Sequence, residues 1–243
     1  MTELELPEMI SLRVGDSHPV CCDGVALWLA GLEHWPSEQA QAGLSPRERE
    51  RGERFRLDRD RRRYVAAHVA LRDRLARHLG CSPVELRFDT GPRGKPYLAN
   101  PAWASWHFNL SHSVDVALIA LCKDGEVGVD LEVMRSIEDA HDLAMTVFGP
   151  QEQAELLRAD GPVRDRLFLQ GWTRKEACLK ALGEGFNLNA RSFEVGLSGG
   201  VTQVQIQVGQ RIERLRVRSF WGGGIGGGTV RWVGALARRL GPA

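Results

Sequence analysis

The chain has 243 residues, 43% of them hydrophobic, and its 32 basic and 31 acidic side chains give a formal charge of +1. That length allows one large domain or two small ones with a substantial core. The even balance excludes a global field of the kind that draws a protein to nucleic acid or an anionic membrane.

The acidic start, MTELELPEMI, lacks the basic-then-apolar build of a signal peptide. No apolar run approaches the roughly 20 residues of a membrane span. Five cysteines without a C-x-x-C pair are expected to be reduced thiols of a cytoplasmic protein. GVALWLAGL at 24–32 alternates as a strand does. Residues 46–80 predict a long helical region with a break at Gly52, an apolar side of Val65, Val69, Leu71 and Leu75, and an end at Gly80. Within it Arg47 to Arg63 holds nine arginines against five acids, for the most part a solvated face. The interleaved acids count against nucleic-acid binding, which needs a net basic surface.

VELRF at 84–88 is a candidate strand, and TGPRGKPYL at 90–98 a turn-rich loop leading into a short one. WHFNLSHSVDVALIALC at 106–122 predicts a strand, an Asn-Leu-Ser-His loop and a second strand. VALIALCKDGEVGVDLEV at 116–133 predicts a hairpin around a Lys-Asp-Gly-Glu turn. Helices are predicted near 138–147, 150–159 and 164–182, then strands near 192–197, 201–207, 212–220 and 229–237. GGGIGGG at 222–228 is assigned to a hairpin tip, because a strand and not a helix follows it.

Two stretches carry chemistry. In GVDLE at 128–132, Asp130 and Glu132 are two apart on a strand and leave the same face. Gly128 removes bulk just before them. In WTRKEACLKALGEG at 172–185, Trp172, Glu176 and Lys180 stand at i, i+4 and i+8 of a helix that Gly183 ends. Three carboxylates (Asp130, Glu132, Glu176) and two lysines (Lys175, Lys180) suit a divalent cation held beside a diphosphate. Hard oxygen donors without His or Cys favour Mg²⁺.

The pair of motifs resembles the 4'-phosphopantetheinyl transferases, whose pattern is G-[IV]-D-x-E followed by W-[ST]-x-K-E-[AS]-x-x-K-x-x-G-x-G. Every defined position is present. The resemblance is to the long, surfactin-synthetase-activating type and runs from about Trp28 to Trp232. It implies an α+β fold of two similar α/β halves related by a pseudo-twofold, with the cofactor in the cleft between them. The halves would be 1–123, on the side of the coenzyme A adenine and 3'-phosphate, and 124–243, on the metal and catalytic side. Each half reads as strand, helix, strands, an order that permits this arrangement.

The resemblance further implies Mg²⁺, or Mn²⁺, on Asp130, Glu132 and Glu176, with Glu176, Lys180 and Lys175 as the catalytic set. Coenzyme A would be the co-substrate, bound by Arg63, Lys95, Pro96, Ser111, His112 and Lys180. Arg51 and Arg54 are potential helpers. A histidine partly charged near neutral pH would make that binding mildly pH-dependent. The partner would be an apo acyl or peptidyl carrier protein or domain of peptide, polyketide or fatty-acid synthesis, with Val147 and Phe148 as candidate apolar contacts. Neither nucleic acid nor membrane is expected, and the two-halves design implies a monomer. Two alternatives are a non-catalytic carrier-binding module, which loss of any of the five charged residues would favour, and another Mg²⁺-dependent nucleotide enzyme, which would not need the Gly-Lys-Pro and Ser-His-Ser loops together.

Overall fold

The computed structural model describes residues 12, 16, 18–184, 188–198, 200–223 and 232–241. Val20–Cys22 (β1) and Val25–Gly31 (β2) form a hairpin whose turn residues, Asp23 and Gly24, both have positive φ. A two-residue turn of that kind matches the twist of its strands. After a short helix at Glu38–Gln41 (α1), the arginine-rich segment is two helices, Pro46–Glu53 (α2) and Asp58–Leu79 (α3). Ser45 and Glu48 close a capping box at the first, and Gly80, at φ 71°, ends the second. The break falls at residues 54–57 and not at Gly52. Gly52 is instead a packing site, since a Cβ there would meet Val65 and Tyr64 of α3 at 3.3 and 3.5 Å.

Phe88–Thr90 (β3) and Pro96–Leu98 (β4) pair as a small hairpin that carries the Gly-Lys-Pro loop. Trp106–Ser113 (β5) is one continuous strand, so Asn109 to His112 lie within it and not in a loop. Its turn into Val116–Lys123 (β6) is at Val114 and Asp115. The first sheet has the antiparallel order β1-β2-β6-β5.

The hairpin expected between β6 and Val127–Val133 (β7) does not form. Both edges of β6 are filled, by β2 and β5, so no ladder is open to the returning chain. β7 instead pairs with Trp232–Arg239 (β10) in a second sheet, completed by Val201–Val208 (β8) and Arg211–Gly222 (β9), in the order β7-β10-β9-β8. The change of sheet falls between Lys123 and Val127. Among the described residues, three α-helices lie between β7 and β8: Ala140–Val147 (α4), Pro150–Leu157 (α5) and Gly161–Leu182 (α6). The strand expected at 192–197 is irregular backbone. Phe193, Val195 and Leu197 do alternate into the core, but the Val195 and Gly196 N–H groups bond the Glu152 carboxylate and not a neighbouring strand. The glycine run from 224 onward lies outside the described residues.

The architecture is mixed α and β, in four layers. Val25, Leu27, Leu29 and Leu118 of the first sheet pack on Val129, Leu131, Phe220 and Leu236 of the second. Leu71 and Leu75 of α3 cover the outer face of the first sheet against Trp28 and Ile119. Ala177, Cys178 and Ala181 of α6 cover the second, against Ile206, Val217 and Ala235. Each fully buried aliphatic side chain contributes about 1.5–3 kcal/mol. Gly128 is where α6 comes closest to β7, for a Cβ there would stand 2.2 Å from the Ala177 carbonyl oxygen. Phe148 is fully buried against Phe168, so it is a core residue and not a partner contact. Among the described residues no helix is long and apolar enough to cross a membrane.

Candidate functional site

A cavity of about 920 Å³ opens between these layers. Its walls are Arg47 and Arg51 of α2, Tyr64 and His68 of α3, Arg93, Lys95 and Pro96 of the β3–β4 loop, Phe108 and His112 of β5, and Glu176 and Lys180 of α6. One side, with Arg47, Arg51 and Arg93, is aromatic and largely basic; at the other, Glu176 and Lys180 line the wall, and Asp130 is buried behind Lys180.

The acidic end follows from β7 and α6 lying so close at Gly128. Asp130 is buried, and its Oδ1 accepts hydrogen bonds from Ser111 Oγ (2.8 Å) and Lys180 Nζ (2.7 Å). Lys180 also donates to Ser111 Oγ at 3.0 Å. Burial pushes the Asp130 carboxyl above its usual range, against Lys180 and Ser111, which pull it down. Glu176 is raised as well, first by burial and then by the charge of Asp130. Glu132 Oε2 accepts from Ser113 Oγ and from Arg135 Nη1, each at 3.0 Å. Two carboxyls with raised pKa values beside a third mark a place where burial and crowding disfavour further negative charge.

Whether a hard cation fits can be judged from Asp130 Oδ2. That oxygen is buried with no hydrogen-bond partner among the described residues, although Oδ1 has two. A bare buried carboxylate oxygen next to Glu176 and Glu132 has the donor chemistry Mg²⁺ takes. Among the described residues no three His, Cys, Asp or Glu side chains already converge as a ligand set.

Three sequence-derived assignments change. Lys175, expected beside the reacting groups, faces away from the cavity. Its side chain is 1% exposed and its Nζ lies 2.8 Å from Glu152 Oε2, while also donating to the Ala190 and Phe193 carbonyls. One residue is 100° of helix rotation, which turns Lys175 from the wall of Glu176 toward Glu152. Arg63, expected on coenzyme A, is absent from the cavity wall and makes a two-pronged pair with Asp115, at 2.9 and 3.1 Å. Ser111, expected on phosphate, is buried behind the acid pair, its hydroxyl committed to Asp130 and Lys180.

Of the remaining expected residues, Lys95, Pro96, His112, Glu176 and Lys180 line the cavity, while Asp130 and Glu132 are not part of its wall. The three protons of Lys95 go to Glu126 Oε2 (2.5 Å), Val127 O and Ala181 O, tying the β3–β4 loop to the end of α6. Burial lowers the Lys95 pKa, against Glu126, which raises it. Burial would raise the Glu126 carboxyl, yet His107 and Lys95 outweigh it and bring it to about 2. His112 borders the cavity beside Lys180. Burial, then the charges of Lys180 and Arg63, push its pKa below the usual imidazole range. Arg47 and Arg93 escaped the sequence reasoning. The available signal was the spacing of Arg47 and Arg51, one turn apart on one face of α2.

Relatives of this chain are recognisable by sequence. A model of the 4'-phosphopantetheinyl transferase superfamily matches residues 126–219, and a model of the N-terminal part of a 4'-phosphopantetheinyl transferase matches residues 27–124. A putative 4'-phosphopantetheinyl transferase of Synechocystis sp. is 40% identical over 178 residues, 73% of this chain and 68% of the relative. The 4'-phosphopantetheinyl transferase HetI of Nostoc sp. is 39% identical over 167 residues, 67% of this chain and 70% of the relative. The 4'-phosphopantetheinyl transferase Sfp of Bacillus subtilis is 30% identical over 166 residues, 68% and 72% of the two chains. The chain therefore belongs to the 4'-phosphopantetheinyl transferase superfamily.

Proposed function

We propose that this chain transfers the 4'-phosphopantetheine arm of coenzyme A to a serine hydroxyl of an apo carrier protein, releasing 3',5'-ADP, and that it does so with Mg²⁺ as the long, Sfp-like type. The observation that carries the proposal is the polarity of the cavity. A basic, aromatic end faces an end where Lys180, Asp130 and Glu176 meet, and coenzyme A has a base and 3'-phosphate at one end and a diphosphate near its reacting atom.

Tyr64 and Pro96 offer flat surfaces to adenine, and Arg47, Arg51 and Arg93 offer guanidinium forks to phosphate. His112, on the cavity wall, can hydrogen-bond to the same groups through its ring nitrogens. Lys180, held in place by Asp130 and Ser111, meets the diphosphate as a fixed positive charge. Asp130, Glu132 and Glu176 would hold the cation, which when bound neutralises charge growing on the leaving phosphate. The carrier serine oxygen forms a bond to the phosphorus that bears the pantetheine arm, and the bond from that phosphorus to the bridging oxygen breaks. Glu176, whose buried carboxyl holds a proton more readily than usual, takes the serine proton directly or through a water. In this reading residues 1–123 and 124–243 act as two related halves around the cleft.

Glu176→Ala tests the proposal. Carrier loading should fall to background while the variant still folds and melts cooperatively. Near-normal turnover in that variant would remove Glu176 from the site and the metal set with it.

A further inference from the structure

Strands β5 and β7 run side by side but pair with other strands, β5 with β6 and β7 with β10. Side chains close the seam between them. Asn109, Ser111 and Ser113 are alternate residues of β5, and alternate residues of a strand share a face. Asn109 Oδ1 accepts the Val129 N–H at 2.9 Å, Ser111 Oγ donates to Asp130, and Ser113 Oγ donates to Glu132 Oε2 at 3.0 Å. Ser113 Oγ also accepts the Val133 N–H at 3.2 Å. Its single proton and one lone pair are thus both used, and they tie the Glu132 carboxylate to the backbone of its own strand. The other contact to Glu132, from Arg135, belongs to a side chain 57% exposed, where an ion pair holds little. Both contacts fall on Oε2.

The turn behind Ser113 is held from a third element. Val114 sits at φ 53°, a conformation β-branched residues avoid and keep only when their surroundings impose it. Here Asp115 supplies the restraint. Its carboxylate takes Arg63 with two bonds and Arg62 with one, at 3.0 Å, and its carbonyl accepts the Leu32 N–H at 2.8 Å.

We propose that Ser113 is a positioning residue for divalent-cation binding: its hydroxyl fixes the orientation of the Glu132 carboxylate, and the clamp of Arg62 and Arg63 on Asp115 fixes Ser113. This rests on the cation set proposed above, and assigns Arg63 to the turn and not to the cofactor.

Mn²⁺ is the probe. Its binding to the full chain is measured by loss of the free-ion electron paramagnetic resonance signal, with coenzyme A saturating, for the wild type and the Ser113→Ala, Ser113→Thr and Ser113→Val variants. Coenzyme A binding in chelator and thermal melting are recorded for each. Ser113→Ala should weaken Mn²⁺ on the order of tenfold, as loss of one hydrogen bond to a charged group does, while coenzyme A binds as before in chelator. Thr and Val have nearly the same shape and both suit a strand, so Thr should restore Mn²⁺ affinity and Val should not. Equal Mn²⁺ affinity in the Thr and Val variants overturns the proposal, as does a matching loss of coenzyme A affinity in chelator. A wild type that takes up no Mn²⁺ sinks the cation set itself, a result distinct from either.

Discussion

Replacing Lys175 by Met should unfold the protein more easily and leave the chemistry of the folded fraction in place. The side chains of Lys175 and Glu152 are each 1% exposed and 2.8 Å apart. Glu152 also accepts the N–H groups of Gly149, Val195 and Gly196, so it anchors the start of α5 and the segment after α6. Met fills much the same space but leaves this carboxylate buried without its cation. Removing one partner of a buried pair costs about 3–5 kcal/mol. For a chain of this size that corresponds to a fall in melting temperature of roughly 6–20 °C. Burial lowers the Lys175 pKa, against Glu152, which raises it. Adding Glu152→Gln should recover part of the loss, because the uncompensated charge is then gone. The assay is a pair of melting curves beside carrier loading at low temperature. A Lys175→Met variant that melts within about 2 °C of the wild type, less than 1 kcal/mol, yet has lost turnover would refute this reasoning and return Lys175 to the reaction.

Two further outcomes are expected. Asp130 and Glu176 have folded pKa values raised chiefly by burial. A raised carboxyl contributes stability that is fully present below its unfolded pKa, about 4, and lost as pH rises through the folded value. In chelator, Glu176→Gln should therefore flatten the decline of melting temperature with pH in that window and melt higher than the wild type at neutral pH; an unchanged slope in calorimetry would contradict the assignment. In steady-state kinetics, Arg51→Ala should raise the KM for coenzyme A roughly tenfold with kcat little changed, the mark of a lost ground-state contact to a charged group. Arg63→Ala, whose partner is Asp115, should raise it less. A larger effect at Arg63 would place that guanidinium on the cofactor.

The acidic strand and the α6 motif were legible because their signals are local. A two-residue spacing fixes the common face of Asp130 and Glu132, a four-residue spacing puts Glu176 and Lys180 on one wall, and Gly183 at φ 67° ends the helix where its lack of a side chain permits. Sheet membership was not legible. A Lys-Asp-Gly-Glu turn between apolar runs predicts a hairpin, and nothing in those residues tells that β2 and β5 take both edges of β6. The misplaced cations have a similar origin. The partner of Lys175 lies 23 positions upstream and that of Arg63 lies 52 downstream, so their roles depend on tertiary contacts that no local spacing encodes. Ser113 shows the same limit in reverse: its neighbour His112 drew attention, while the residue that grips Glu132 carried no signal of its own.

The most direct test of the account is the intact mass of an apo acyl or peptidyl carrier protein after incubation with this protein, coenzyme A and Mg²⁺, with and without chelator. The account predicts a gain of one phosphopantetheine arm that chelator abolishes. A carrier that stays unmodified across several peptidyl and acyl types, with coenzyme A measurably bound, would contradict it.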